Sequence, residues 1–508
     1  MSEEKELEIG AKMAEYVRTQ MHMSGSPELV EYVRDIGERL ATVAPRQNIE
    51  YGFDVVVEPS YNAFALPGGH LFVNTGALLW FNSEDEMAAV LGHEIIHAAA
   101  RHTVQRDVAN KVVGFGAMAT AIAGGILGGQ AGGYGGQMLS SLVAAGLVSN
   151  YSRDQESEAD VLGQIMMDKI GYDPFAAAES HRQILRHKRE LLGAEPDEAS
   201  WFSSHPGSRE RIRALEAKAA ELTATRDVIP RRKDAYLDMI NGMLIDEPAE
   251  YGVFLLPIGY DRHSYDDEKT LFLHYDMGFQ LQYPLGWMKR NQPTKVSGSN
   301  GAMVIELEFH NKNPERLMDA PKDFLAERRK KREEAEEKKQ PVPYELTPVR
   351  KGAVKLRKIR KSSYMKVTFA QRQGTALIYF IQVGKENVFR LTCMSHSQLF
   401  EKYTADCRNT AKTLRTLTPR NRARIVNRRL VIAEALPNEK LADLSARSGN
   451  VWNLELTAAV NGLDRTSDRL SEGQRIKVAI EEPYTGKPDP PAGEEGTESK
   501  AEPTTPKT

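Results

Sequence analysis

The residues of this 508-residue chain best suited to chemistry are His93, Glu94 and His97, which form the pattern His-Glu-x-x-His. Residues four apart on an α-helix lie on one face, about one turn from each other. The two imidazoles can therefore bind a single Zn²⁺ ion. Glu94 projects from the neighbouring part of the turn, where its carboxylate can take the proton of a metal-bound water. The pattern predicts a zinc site that activates water.

A catalytic zinc site needs a third protein ligand and one position open to water. Glu156 and Asp160 lie four residues apart in a later acidic segment, so they share a helix face. One of these carboxylates can bind the metal while the other hydrogen-bonds a ligand histidine. The metzincin pattern is excluded, because Ala100 and Thr103 stand where it needs glycine and histidine. A glutamate is therefore favoured as the third ligand.

The His-Glu-x-x-His pattern needs a helix around it. Ser83, followed three residues later by Glu86, forms a capping box that predicts a helix start near Glu84. Apolar residues recur at helical spacing through the pattern, and the helix is expected to end in a polar stretch near Arg106. The two histidines would then lie in the middle of the helix.

Two further elements complete the predicted framework. Ser152 and Gln155 form a second capping arrangement, which predicts a helix that carries the acidic pair and closes at Gly171. Earlier in the chain, Asn62–Phe72 reads as two short strands around a Pro-Gly-Gly turn. This hairpin can offer an edge strand to an extended peptide substrate.

Residues 112–152 contain no charged side chain and are rich in glycine. We expect residues 112–150 to form two helices over or beside the metal site, joined by a flexible loop that can act as a lid. A membrane hairpin is the alternative, although the apolar run is shorter than the roughly 20 residues that a spanning helix needs.

Together these motifs resemble the gluzincin peptidase family that includes HtpX and the CaaX prenyl proteases, especially its soluble periplasmic BepA-like branch. The resemblance covers about residues 5–220. It is carried by His93-Glu-x-x-His97, by Tyr151-Ser-Arg-x-x-Glu-x-Glu-Ala-Asp160, by Asn62-Ala-Phe-Ala-Leu-Pro-Gly-Gly69, and by Ser204-His-Pro206 with Arg211.

The resemblance implies a role for each matching residue. It implies one Zn²⁺ per chain held by His93, His97 and Glu156, with Glu94 as general base. Asp160 would support the ligands from behind, and Arg211 would anchor the loop that carries His205. His205 would lie at the active site, where it either stabilises the oxyanion or caps the metal in a resting form. Substrate would bind along Asn62, Ala63 and Phe64.

Other single residues are assigned structural places. His70 and His102 are expected at non-catalytic surface positions. Trp287 and Trp452 are expected in the cores of their own domains. Cys393 and Cys407, the two cysteines, form either a disulfide or two buried thiols.

The composition is that of an ordinary globular protein, with 41% hydrophobic and 27% charged residues. A net charge of −3 gives no basis for binding nucleic acid. The acidic start, Met1-Ser-Glu-Glu-Lys-Glu, is unlike a signal peptide. A cytoplasmic protein and a mature protein of the periplasm or cell envelope therefore remain alternatives.

The length predicts several domains. We expect a mainly α-helical, zincin-type metallopeptidase domain with a small β-sheet at residues 1–250 and an α+β domain at 255–418. A small domain at 422–483 and a disordered tail at 484–508 would follow.

The two later domains also carry resemblances. The middle domain resembles the α/β fold of the photosystem subunit PsbP through Gly278-Phe, Tyr283-Pro and Gly286-Trp, and we infer no activity from it. The third resembles a LysM module through Leu441-Ala-Asp-Leu-Ser, Asn461-Gly-Leu and Leu470–Val478. That resemblance implies binding to peptidoglycan, and a purely structural role is the alternative.

The sequence as a whole predicts a zinc metalloendopeptidase that hydrolyses peptide bonds of misfolded cell-envelope proteins. One alternative is an envelope scaffold or chaperone-like binding protein with a largely closed peptidase site. Another is a membrane-embedded protease that uses residues 112–148. Cleavage of unfolded casein would separate a protease from a scaffold.

Overall fold

A computed structural model describes residues 1–109, 151–192, 209–225, 227, 229–255, 270–337, 342, 345–354, 356, 362–369, 374–463 and 469–486. The predictions for residues 112–150, for His205 and for most of the tail lie outside these ranges. Within the ranges, no helix combines the length and apolar character that crossing a bilayer requires.

The N-terminal half consists of helices packed around a three-stranded sheet. Its elements are α1 (Glu3–Gln20), α2 (Pro27–Ala41), β1 (Gly52–Val56), β2 (Ala63–Leu66), β3 (His70–Asn74), α3 (Thr75–Trp80), α4 (Glu84–Ala99), α5 (His102–Ala109), α6 (Arg153–Lys169), α7 (Ala176–Leu192), α8 (Arg209–Leu222) and α9 (Asp234–Ile240). β3 pairs parallel with β1 and antiparallel with β2, so β2 lies at one edge of the sheet as described. β2 and β3 form the hairpin that the Pro-Gly-Gly turn predicts.

α4 holds the His-Glu-x-x-His pattern and begins at Glu84, as predicted. The Ser83 hydroxyl accepts a hydrogen bond from the Glu86 amide at 3.2 Å. The Glu86 carboxylate in turn accepts one from the Asn82 amide at 3.0 Å. The first bond satisfies a backbone donor that the first turn of a helix leaves unpaired, and the second ties down the residue just before the cap.

The end of α4 differs from the prediction. The helix ends at Ala99 rather than near Arg106. Arg101 has a φ of 58°, in the left-handed region that residues with side chains rarely adopt, and α5 starts at the next residue. His102 is consequently buried, so the prediction of a surface position is wrong for it. His70 is half-buried at the start of β3.

α6 begins with the predicted capping box. The Ser152 hydroxyl accepts from the Gln155 amide at 3.2 Å, and the Gln155 side chain accepts from the Ser152 amide at 3.1 Å. After the helix ends at Lys169, Gly171 takes a φ of 83°, a conformation that glycine adopts without steric cost.

α4 and α6 cross in close contact. A Cβ atom placed on Gly163 would lie 2.8 Å from the His93 amide nitrogen. One placed on Gly92 would lie 3.1 Å from the Gly163 carbonyl oxygen. A side chain at Gly163 would force the two backbones apart, because packed interiors have no spare volume. These two glycines set the distance between the histidines of α4 and the acids of α6.

The middle of the chain forms sheets covered by helices. Its elements are β4 (Val253–Phe254), β5 (Leu271–His274), β6 (Phe279–Gln282), β7 (Met288–Gln292), β8 (Lys295–Ser299), β9 (Met303–Asn311), α10 (Ala320–Glu337), β10 (Thr347–Ala353), β11 (Ser362–Phe369), β12 (Gly374–Val383), β13 (Asn387–His396), α11 (Ser397–Thr413), β14 (Arg415–Thr416) and α12 (Pro419–Arg422). Short 3₁₀ turns occupy Ala249–Tyr251 and Pro314–Arg316.

The larger of these sheets is antiparallel throughout, in the order β10-β11-β12-β13-β9-β8-β7. A smaller sheet has the order β14-β6-β5-β4. Alternate residues of β12 point to opposite faces. Leu377 packs in the cluster that contains Phe400 of α11, whereas Ile378 packs in the cluster that contains Phe324 of α10. Cys407 of α11 and Cys393 of β13 form a disulfide, which decides between the two alternatives for the cysteines.

The C-terminal unit consists of β15 (Val426–Glu434), α13 (Leu441–Arg447), α14 (Leu454–Val460) and β16 (Arg475–Pro483), with the two strands paired antiparallel. The LysM resemblance is not confirmed, and the predicted domain boundaries stay predictions.

This unit packs directly on the N-terminal half. Trp452 lies in a buried core, as expected, but it shares that core with Trp80 and Leu91 of the N-terminal half. Lys477, fully buried on β16, donates hydrogen bonds at 2.8 Å to the carbonyl oxygens of both Leu79 and Phe81. The C-terminal unit therefore contributes to the core beneath α4.

Candidate active site

Three buried side chains from two helices meet at one point. His93 and His97 of α4 and Glu156 of α6 each place one metal-binding atom within 4.8 Å of the other two. The two histidine Nε2 atoms are 3.0 Å apart. The Glu156 carboxylate oxygens lie 3.7 Å from Nε2 of His93 and 3.5 Å from Nε2 of His97.

The Nδ1 atom of His93 faces away from this point, toward Asp160. It lies 3.0 Å from the Asp160 Oδ1 atom. A carboxylate in this position accepts the Nδ1 proton, which leaves the Nε2 lone pair for a metal. Asp160 thus lies behind His93, and its role in supporting a metal ligand stays a prediction.

His97 is held from behind by a second histidine. Its Nδ1 lies 2.8 Å from Nδ1 of His102, and the Nε2 of His102 lies 3.4 Å from the Glu158 carboxylate. The Tyr151 ring stacks on His97 with ring centroids 3.8 Å apart, and the Tyr151 hydroxyl lies 2.9 Å from that of Thr103. These contacts fix the imidazole of His97 in one orientation.

Arg211 of α8 joins the two acids of α6. Its guanidinium donates to both Asp160 oxygens at 2.7 Å and lies 2.8 Å from the Glu156 carboxylate. Burial by itself would raise the pKa of Asp160, but His181, His93 and Arg211 together hold that pKa well below its usual range. Asp160 is therefore ionised at neutral pH, and Arg211 holds it beside Glu156.

The geometry and chemistry of this donor set fit a zinc ion. In tetrahedral zinc sites with Zn–N distances of 2.0–2.1 Å, neighbouring ligand atoms lie about 3.3 Å apart. The spacings of 3.0, 3.5 and 3.7 Å surround that value. Both imidazoles also direct Nδ1 to a partner and Nε2 inward, as metal-binding histidines do.

Glu94 is buried, and together with His93 it lines a pocket. Ala63 of β2 also lines this pocket. Phe64, the next residue, points the other way and stacks on Phe72 with centroids 5.2 Å apart. The Asn62 carbonyl oxygen accepts a hydrogen bond from the Asn74 amide at 2.9 Å. Of the three predicted substrate contacts, the structure brings the side chain of Ala63 alone to the pocket.

Sequence reasoning assigned no role in the site to four residues near it: His102, Tyr151, Gln164 and His181. Tyr151 did stand within a quoted motif. His102 is five residues after His97, a spacing that one helix without a break would place elsewhere. Gln164 lies on the face of α6 that carries Asp160, so helical spacing could have indicated it. His181 lies on α7, which no motif linked to the site.

Part of this chain is similar to proteins of a known peptidase family. Residues 27–219 match the model for peptidase family M48. The mitochondrial metalloendopeptidase OMA1 of Schizosaccharomyces pombe is 32% identical over 197 residues, which are 39% of this chain and 55% of that protein. A putative beta-barrel assembly-enhancing protease of Vibrio cholerae is 28% identical over 41% of this chain and 43% of its own length.

A third relative is the beta-barrel assembly-enhancing protease of Escherichia coli K12, 24% identical over 46% of this chain and 47% of that protein. The chain thus spans about half the length of the curated relatives it matches. A solution structure of cyanobacterial PsbP from Synechocystis covers 27% of this chain and 86% of that one, at 7% identity and a TM-score of 0.22. Similarity at that level supports no conclusion about the middle of the chain. The part of this chain that is similar to peptidase family M48 is therefore residues 27–219.

Proposed function

We propose that the protein is a zinc metalloendopeptidase. The observation that carries this proposal is the convergence of His93, His97 and Glu156 on one point, next to the buried carboxylate of Glu94. A zinc ion held there would act as a Lewis acid on the scissile carbonyl and lower the pKa of the attacking water.

The chain's own residues supply the remaining steps. Glu94 takes a proton from the attacking water and delivers it to the leaving amine nitrogen. Asp160 and His102 orient the two imidazoles through their Nδ1 atoms. An extended substrate pairs with the edge strand β2, beside Ala63.

The experiment is the substitution Glu94→Gln, assayed on unfolded casein. The amide cannot accept the proton, so the cleavage rate is expected to fall by about 10²–10⁴-fold while the zinc content stays unchanged. Glu38→Gln, an exposed glutamate on α2, is the matched control and should cleave like the wild type. Cleavage by Glu94→Gln at the wild-type rate would remove Glu94 from its role. A zinc-loaded wild type that binds casein without cutting it would favour the scaffold alternative.

The substrates and the compartment belong to the same proposal. We infer that the protein acts on cell-envelope polypeptides, because two of its relatives are named for beta-barrel assembly. The Cys393–Cys407 disulfide supports an oxidising compartment such as the periplasm, since cytosolic thiols are kept reduced. Binding of peptidoglycan by residues 422–483 remains part of this proposal, on the sequence resemblance alone.

A further inference from the structure

The pocket beside Glu94 has an apolar wall and two buried polar groups. Ala89 and Val90 of α4, Ile184 of α7 and Leu215 of α8 supply apolar surface. His181 of α7 is 8% exposed and Gln164 of α6 is 1% exposed, so both are more than nine-tenths buried. Neither group takes part in the mechanism above.

Gln164 lines this pocket, and its side chain holds an unused acceptor. Its amide nitrogen donates to the carbonyl oxygens of Pro174 at 2.9 Å and Leu215 at 2.8 Å, which fixes the orientation of the amide. Its Oε1 atom is buried and has no hydrogen-bond partner among the described residues. A buried acceptor in this state destabilises a protein unless something fills it.

His181 presents a second acceptor. Its Nε2 atom lies 3.5 Å from the Asp160 carboxylate, which places the ring proton on Nε2. Its Nδ1 atom is buried and also lacks a partner in the part of the chain that the structure describes. Burial, reinforced by the charge of Arg211, lowers the pKa of His181, so the ring is neutral and Nδ1 keeps its lone pair.

Two of the charged groups that line the pocket are paired with each other. Arg211 and Asp160 both line it, and two hydrogen bonds of 2.7 Å join them. Neither charge is left to attract an ionic ligand. The two unsatisfied acceptors beside the pocket therefore favour a neutral ligand that carries N–H or O–H donors.

We propose that this pocket binds a substrate side chain next to the scissile bond, and that His181 and Gln164 make it select serine, threonine, asparagine or glutamine. This inference rests on the proposed function for the position of the scissile bond. Because His93 and Glu94 form part of the wall, a side chain in the pocket belongs to a residue adjoining the reacting carbonyl. His181 and Gln164 are specificity-determining residues in this assignment.

The first test maps cleavage sites in casein by mass spectrometry. The wild type is expected to cut with an excess of these four residues at one position flanking the scissile bond. His181→Leu should shift that position toward aliphatic residues, and His181→Asn, which keeps an acceptor near Nδ1, should retain the wild-type preference. Arg189→Ala, on the exposed side of α7, is the matched control. An identical profile for wild type and His181→Leu would overturn the proposal.

The second test needs no turnover. Two glycine-alanine peptides that differ by one central threonine or valine are titrated into the Glu94→Gln protein. Threonine is expected to bind about fivefold tighter than its isostere, the effect of one net hydrogen bond. The preference should vanish in Glu94→Gln/His181→Leu and weaken in Glu94→Gln/Gln164→Leu, with folding checked by circular dichroism.

The two failures are distinguishable. If the wild type does not cleave casein but the threonine preference is present and depends on His181, the proposed function fails and the pocket assignment stands. If casein is cleaved but threonine and valine peptides bind equally, the pocket assignment fails, because water then satisfies both acceptors.

Discussion

The contact between His97 and His102 makes a prediction about metal affinity. If His97 binds the metal through Nε2, its Nδ1 carries the proton and donates it across 2.8 Å to Nδ1 of His102. The proton of His102 then lies on Nε2, which faces the Glu158 carboxylate at 3.4 Å. Burial lowers the pKa of His102, so the ring remains a neutral acceptor.

The substitution His102→Leu keeps the volume and removes the acceptor. The loss of such a supporting partner typically lowers metal affinity by 10–100-fold, which is about 1.4–2.7 kcal/mol. The independent cost of leaving the buried Nδ1–H of His97 without an acceptor is about 1–3 kcal/mol. The two estimates agree, so we expect the zinc dissociation constant to rise by 10–100-fold.

The assay is competition for zinc with a chelator of known affinity, followed by fluorescence. His70→Leu is the matched control, because His70 is half-buried at the start of β3 and has no contact with the ligands among the described residues. His102→Asn should recover part of the affinity, since its side-chain oxygen can take the place of Nδ1. An unchanged dissociation constant for His102→Leu would refute the reasoning.

Two further predictions concern stability. Burial lowers the pKa of His22, whose ring packs at a tilt against Tyr251, to about 4, whereas the unfolded chain titrates near 6.5. The unfolded state therefore binds more protons between these values, and the free energy of unfolding should fall by about 3 kcal/mol from pH 6.5 to 4. Urea denaturation should show a smaller fall for His22→Phe; an equal fall would contradict the assignment. Breaking the disulfide with Cys407→Ala/Cys393→Ala should cost about 3 kcal/mol for its 14-residue separation, and an unchanged thermal midpoint would contradict that estimate.

The parts of the site that depend on local sequence could be predicted. Ser83 and Ser152 cap their helices through residues three positions away, and the spacing of His93 and His97 is a property of one helix. Such interactions depend on few residues and on regular geometry. The residues that converge from two helices were assigned through a family resemblance rather than through spacing.

The parts that depend on tertiary packing could not be predicted. His102 reaches His97 because Arg101 adopts a left-handed conformation. An arginine in the sequence gives no sign of that conformation. His181 joins the site through the packing of α7 on α4, and nothing in its own segment marks it. Whether Cys393 and Cys407 form a disulfide could not be decided from the sequence. Their separation along the chain does not give the distance between the strand and the helix that carry them.

The buried Lys477 has a practical consequence for work on this protein. A shortened protein that ends before β15 would lose the strand carrying Lys477, together with Trp452 and its apolar neighbours. The surface uncovered beneath α4 would be apolar and prone to self-association. Truncation at the last residue of the family match is therefore expected to yield aggregates, and recombinant work on the N-terminal half should retain the chain through Pro483.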